Sequence, residues 1–136
     1  MKKTGILNRE LSGALARLGH TDLVVVCDAG LPIPEGPHAP HLVDLAFRAG
    51  VPSFTEVLEG VLAELVVEGA TAADEARTAN EAVATLLTDR FAALSHGLGW
   101  VSHEEFKSLV PRAKLVIRTG EARPYANVLL RCGVAF

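Results

Sequence analysis

The sequence has 136 residues, enough to bury one core and too few for two, so a single domain spanning 1–136 is expected. Apolar residues make up 49% and charged residues 21%, more apolar surface than a small monomer readily hides, which favours a homo-oligomer. A net charge of −3 with only seven aromatic side chains leaves no basic, base-stacking footprint for nucleic acid. No apolar run is long enough for a membrane span, and none follows Lys2-Lys3, so a soluble cytoplasmic protein is expected.

In chain order, Asn8 reads as the N-cap of a helix whose apolar residues are Leu11, Ala14, Leu15 and Leu18, with Gly19 as its C′ residue. His20 would then lie just beyond a helix C-terminus, where the dipole favours the protonated ring. Leu23-Val24-Val25-Val26-Cys27 is a continuous apolar run, the signature of a strand buried on both faces in a helix-covered sheet. Asp28 ends it, and Ala29-Gly30 lets the chain turn. The prolines at 32, 34, 37 and 40 predict an irregular loop. Leu42–Phe47 reads as a second strand. Ser53 and Glu56 have the spacing of a capping box ahead of a helix with Phe54, Val57, Leu58, Val61, Leu62 and Leu65 inside. A third strand begins within Leu65–Val67. Thr78 and Glu81 repeat the capping-box spacing before a helix burying Val83, Leu86, Leu87 and Phe91. His96–Gly99 reads as loop, Trp100-Val101 as a short strand, and Ser102 with Glu105 as another helix start that puts His103 in the first turn. The last strands are Lys114–Ile117 and Val128–Leu130, joined by the polar stretch 118–127. This alternation predicts an α/β three-layer sandwich with a mostly parallel central sheet. A dinucleotide fold is disfavoured, because the first strand leads into Asp-Ala-Gly and prolines rather than G-x-G-x-x-G. Cys27 and Cys132 lie in apolar runs and read as buried free thiols.

Several stretches, in order along nearly the whole length, resemble the ribose pyranase / fucose mutarotase family. They are Gly5-Ile6-Leu7-Asn8, Leu18-Gly19-His20-Thr21-Asp22, Asp28-Ala29-Gly30-Leu31-Pro32-Ile33-Pro34, Val51-Pro52-Ser53-Phe54, Ser102-His103-Glu104-Glu105-Phe106-Lys107 and Gly120-Glu121-Ala122-Arg123-Pro124-Tyr125-Ala126-Asn127. The resemblance implies the same α/β sandwich and a cofactor-independent isomerase. Its D-ribose substrate would pass between pyranose and furanose forms, the furanose feeding ribokinase. A ring-shaped decamer is implied as well. Tyr-Ala-Asn and Asp-Ala-Gly match the ribose branch; the fucose branch carries Tyr-Gly-Asn and Asp-Ala-His.

An imidazole can both give and take a proton, so His20 is the candidate catalytic acid/base, although local sequence alone allows a helix-capping role equally well. Asp28 reads locally as an Asx-turn acceptor, and the resemblance adds a ligand-binding role that can coexist with it. His103 reads locally as an exposed first-turn residue. Tyr125 and Asn127 each offer donor and acceptor capacity to a polyhydroxylated ligand. The resemblance makes His103 and the tripeptide Tyr125-Ala126-Asn127 substrate-binding residues. A metal reading would draw on His20, Asp28, His38 and His41, but Pro37 and Pro40 keep the last two histidines off one helical face, so they read as solvated loop residues and no metal is expected. Eight extended residues separate His20 from Asp28 by up to ~26 Å. One sugar cannot bridge that distance, so either the two ends curl sharply toward each other or a neighbouring chain completes each site; the second is the expectation, with Tyr125 and Asn127 as the candidates for crossing over.

Overall fold

The computed structural model describes residues 1–136. Strand β1 (Leu23–Cys27) occupies the middle of a six-stranded sheet in which Val24, Val25, Val26 and Cys27 have no exposed surface. With β2 (His41–Asp44), β3 (Val67–Ala73), β4 (Leu98–Val101), β5 (Leu115–Arg118) and β6 (Val128–Cys132), the order is β2-β5-β1-β6-β3-β4. The pairs β2/β5, β5/β1 and β3/β4 are parallel, while β6 runs antiparallel to both its neighbours. The sheet is therefore mostly parallel, with one reversed strand that returns the chain between β1 and β3.

Because side chains alternate along β1, its two faces serve two cores. Val24 and Val26 pack under the helices α1 (Arg9–Leu15), α2 (Phe54–Leu62) and α4 (Glu81–Phe91), through Leu11, Leu15, Phe54, Leu58, Leu87 and Phe91. Val25 and Cys27 face α5 (His103–Leu109) and the 3-10 turn Val110–Arg112, through Phe106 and Val110. Each fully buried Phe, Leu or Val contributes about 1.5–3 kcal/mol. Burial also pushes the Cys27 thiol up to about 12 and the Cys132 thiol up to about 11, so both stay neutral free thiols. No helix is long and apolar enough to cross a membrane.

The caps at Asn8, Ser53 and Ser102 form as expected, the second as a full capping box with Glu56. Other boundaries move. Helix α1 stops at Leu15 rather than running to Gly19, its end tightened by Arg17 N–H to Ala14 and Leu18 N–H to Leu15. Gly19 instead opens a turn: its carbonyl accepts from Asp22 N–H at 3.2 Å, and its N–H donates to Asp22 Oδ2 at 2.7 Å. His20 therefore stands in that turn, four residues beyond the C-cap Ala16 and outside the reach of the helix dipole. Thr78 does not cap α4. It lies in a one-turn helix, α3 (Ala76–Ala79), and the N-cap is Asn80, whose Oδ1 accepts from Val83 N–H at 3.4 Å. Strand β2 is His41–Asp44, not Leu42–Phe47, because the Asp44 carboxylate accepts from Ala46 N–H and turns the chain off the edge. That places His41 in a strand, 3.5 Å from Glu10, and not in a solvated loop. Leu98 and Gly99 belong to β4, and β3 runs on to Ala73.

Candidate active site

Five strands point one way, so the exits of β1, β3, β4 and β5 lie along one edge together with the entry of β6. This is the edge where open α/β sheets place ligands. Here the turn after β1, the 119–127 connection and the start of α5 enclose a pocket of about 350 Å³, lined by Asp28–Leu31, His103 and Glu121–Tyr125. Its volume suits a small molecule.

Asp28 is buried, with 8% of its surface exposed, and each of its carboxylate oxygens and its N–H has a partner in its own chain. Its N–H donates to Asn127 Oδ1 and Asn127 Nδ2 donates back to Asp28 Oδ2, both at 2.9 Å. Oδ1 accepts from Gly30 N–H at 2.9 Å, forming the expected Asx turn. Each carboxylate oxygen has a second lone pair, so the clamp fixes the carboxylate and leaves it acceptor capacity for hydroxyls. Asn127 and Ala126 are completely buried. They stand behind the pocket wall, and the Asn127 amide reaches the site through Asp28.

Tyr125 sits at φ 59°, a left-handed conformation unusual for an aromatic residue, and its ring meets the His103 ring edge-on with centroids 5.1 Å apart. His103 is only partly exposed, not a solvated first-turn residue. Its N–H is held by both oxygens of Glu75, at 3.0 and 2.9 Å, while its Nδ1 is buried with no hydrogen-bond partner. Unpaired buried ring nitrogens are uncommon, and this one belongs to a residue of the pocket wall.

Glu121 organises the wall, although its motif alone does not announce that role. Oε1 accepts from Ala122 N–H, Arg123 N–H and Arg123 Nε; Oε2 accepts from Arg123 Nη2 and, at 3.4 Å, from Phe54 N–H at the start of α2. The Arg123 side chain, with these amides, holds the Glu121 carboxyl down at about 2 against the opposing effect of burial. Its carbonyl accepts from Ala29 N–H, joining the 119–127 connection to the Asp28 turn. Asn80 adds a brace, donating from Nδ2 to the Pro124 carbonyl at 2.9 Å. Gly120 fits only as glycine, since a Cβ there would collide with the Val51 and Arg48 carbonyls.

His20 is not in this pocket. It precedes β1 at the opposite edge of the sheet, its side chain 53% exposed and its Nε2 3.1 Å from Glu68 Oε2. Thus Asp28, His103 and Tyr125 come together in one chain, Ala126 and Asn127 support them, and His20 stands apart. No three His, Cys, Asp or Glu side chains converge in a metal-holding arrangement.

A model of the RbsD / FucU transport protein family matches residues 1–135. Proteins named D-ribose pyranase from Streptomyces avermitilis and Streptomyces coelicolor are 67% and 65% identical over 136 residues, with all of both chains covered. The solved structure of Bacillus subtilis RbsD complexed with D-ribose matches with a TM-score of 0.91 at 45% identity, again covering both chains completely. FucU from Bifidobacterium longum matches with a TM-score of 0.77 at 23% identity, covering 96% of this chain and 97% of its own, which extends the likeness of fold.

Proposed function

The chain belongs to the RbsD / FucU transport protein family, and on that premise we propose that it is a D-ribose pyranase, interconverting the pyranose and furanose forms of the sugar. The observation that carries this reading is the pocket of Asp28–Leu31, His103 and Glu121–Tyr125, in a backbone that matches a ribose-bound relative along its full length.

The chemistry needs only proton transfers. A base takes the anomeric hydroxyl proton while an acid protonates the ring oxygen, and the C1–O5 bond breaks to give the open aldehyde. The 4-hydroxyl then adds to C1, losing its proton as the carbonyl oxygen gains one, and the furanose forms. Because the uncatalysed exchange already proceeds, the ~10²–10⁴-fold that general acid/base catalysis supplies is sufficient, and no metal or cofactor enters. Asp28 orients hydroxyls as an acceptor held rigid by Asn127 and Gly30. His103 and Tyr125 supply ring edges and polar tips, and His20 moves the proton.

His20 joins the pocket of a neighbouring copy in this reading. Its position at the opposite edge from Asp28 supports that arrangement, as does the exposed apolar surface of Leu7 (63%) and Phe47 (79%), which a second copy would cover. We take the assembly to be a ring of identical chains, a decamer as the family resemblance implies. Its place is in ribose catabolism in the cytoplasm, delivering furanose to ribokinase.

Saturation-transfer NMR on the anomeric protons of D-ribose tests the reading. The protein is expected to accelerate transfer between pyranose and furanose signals, in EDTA as well as without it. Acceleration confined to the anomers of L-fucose, or broadening of ribose signals with no exchange, would replace this function with mutarotation of another sugar or with binding alone.

A further inference from the structure

We propose that Glu68 is the positioning residue of His20, holding the imidazole through Nε2 and leaving Nδ1 as the nitrogen that exchanges protons with the sugar. The proposal rests on the reading of His20 as the catalytic acid/base.

The two residues are 48 apart in sequence, and the backbone is specially shaped to bring them together. In the β3/β6 ladder Val67 pairs with Cys132 and Gly69 with Arg131, so Glu68 is the extra residue of a β-bulge. A bulge re-aims one side chain, and this one carries the carboxylate to Nε2 at 3.1 Å. From the other side, Thr21 adopts φ 68° at the third position of the Gly19–Asp22 turn, where a β-branched residue is strained. Two hydrogen bonds to the same end of β6 hold it there: Thr21 N–H to the Cys132 carbonyl and Cys132 N–H to the Asp22 carbonyl, both 2.9 Å. The strained turn and the bulge thus meet at residues 131–132, with His20 and Glu68 facing each other.

Burial contrasts within the pair. The Glu68 side chain is 16% exposed and the His20 side chain 53%, the pattern of an anchor and the group it presents. Arg131 Nε lies 2.7 Å from Glu68 Oε1. Although burial opposes ionisation of Glu68, its contacts with His20 and Arg131 outweigh it and hold the carboxyl below its ordinary range. An ionised carboxylate only accepts, so in the neutral ring Nε2 carries the proton and Nδ1 a lone pair.

The test combines kinetics with magic-angle-spinning NMR on the assembled protein labelled with 15N-histidine, at mildly alkaline pH. Glu68→Ala is expected to lower kcat for ribose exchange about 10- to 100-fold with KM little changed, since an orienting partner governs part of the acid/base contribution. The His20 signals should show the proton on Nε2 in the wild type and a mixture of tautomers in the variant. Glu68→Gln keeps an acceptor oxygen and should recover much of the rate. A wild-type proton on Nδ1 would overturn the proposal without need of any variant, and so would full kcat in Glu68→Ala or a loss of kcat with unchanged His20 signals. An active His20→Ala protein would instead refute the catalytic reading beneath it, so the two failures are distinguishable.

Discussion

Replacing His20 with alanine is expected to remove ribose ring exchange by about 10²–10⁴-fold, the whole of the contribution a positioned acid/base makes. Stability should barely change. The side chain is 53% exposed, packs in neither core, and has its polar contact with Glu68, which retains Arg131 when the imidazole is gone. Surface truncations of this kind fall within about 0.5 kcal/mol. Saturation transfer and a thermal melt on the same preparation check both halves. Full exchange in a folded His20→Ala protein would transfer the acid/base role to His103, the other candidate histidine and the one that lines the pocket.

A marked loss of stability is expected when Glu121 is truncated. Its side chain is 5% exposed and gathers the N–H groups of Ala122, Arg123 and Phe54 as well as the Arg123 guanidinium. Glu121→Ala leaves those amides without a partner, at about 1–3 kcal/mol for each that water cannot reach. Since the same amides shape the pocket wall, KM for ribose should rise as well. The pH dependence has a definite sign. A carboxyl depressed from its ordinary 4.5 to about 2 stabilises the fold above its unfolded-state value and loses that contribution as pH falls through the interval. Wild type should therefore melt well above Glu121→Gln at pH 7, and the two melting temperatures should converge as the pH is lowered from about 5 to about 2. A constant gap across that range would show that the charge of Glu121 is not what holds the wall.

The parts of this fold that follow local rules were legible in the chain. The run Leu23–Cys27 is buried on both faces because helices cover both, and Asn8, Ser53 and Ser102 cap helices because their side chains reach an orphan N–H three residues on. Elsewhere distant partners decided. Val67–Ala73 is rich in small residues with little strand preference, yet forms β3 because β6 and β4 flank it. Asn80 displaced Thr78 as the cap because its amide also reaches the Pro124 carbonyl 44 residues away, a gain invisible at the spacing of a capping box. In the site, Asp28, His103 and Tyr125 carry motifs that pointed to them. Glu121 and Glu68 were missed because their roles depend on a turn and a bulge that only the folded chain creates. The separation of His20 from Asp28 was readable from strand length alone, and it leads to the most demanding consequence of this account.

That consequence is tested by mixing dissociated His20→Ala and Tyr125→Ala subunits and reassembling them. Each variant alone lacks one group at every site. If His20 and the Tyr125 pocket come from different chains, about one quarter of the sites in a random equal mixture draw both groups intact, and ribose exchange returns in proportion. Mixed assemblies verified by mass spectrometry that recover no exchange would contradict the shared site, because both groups would then have to serve from one chain.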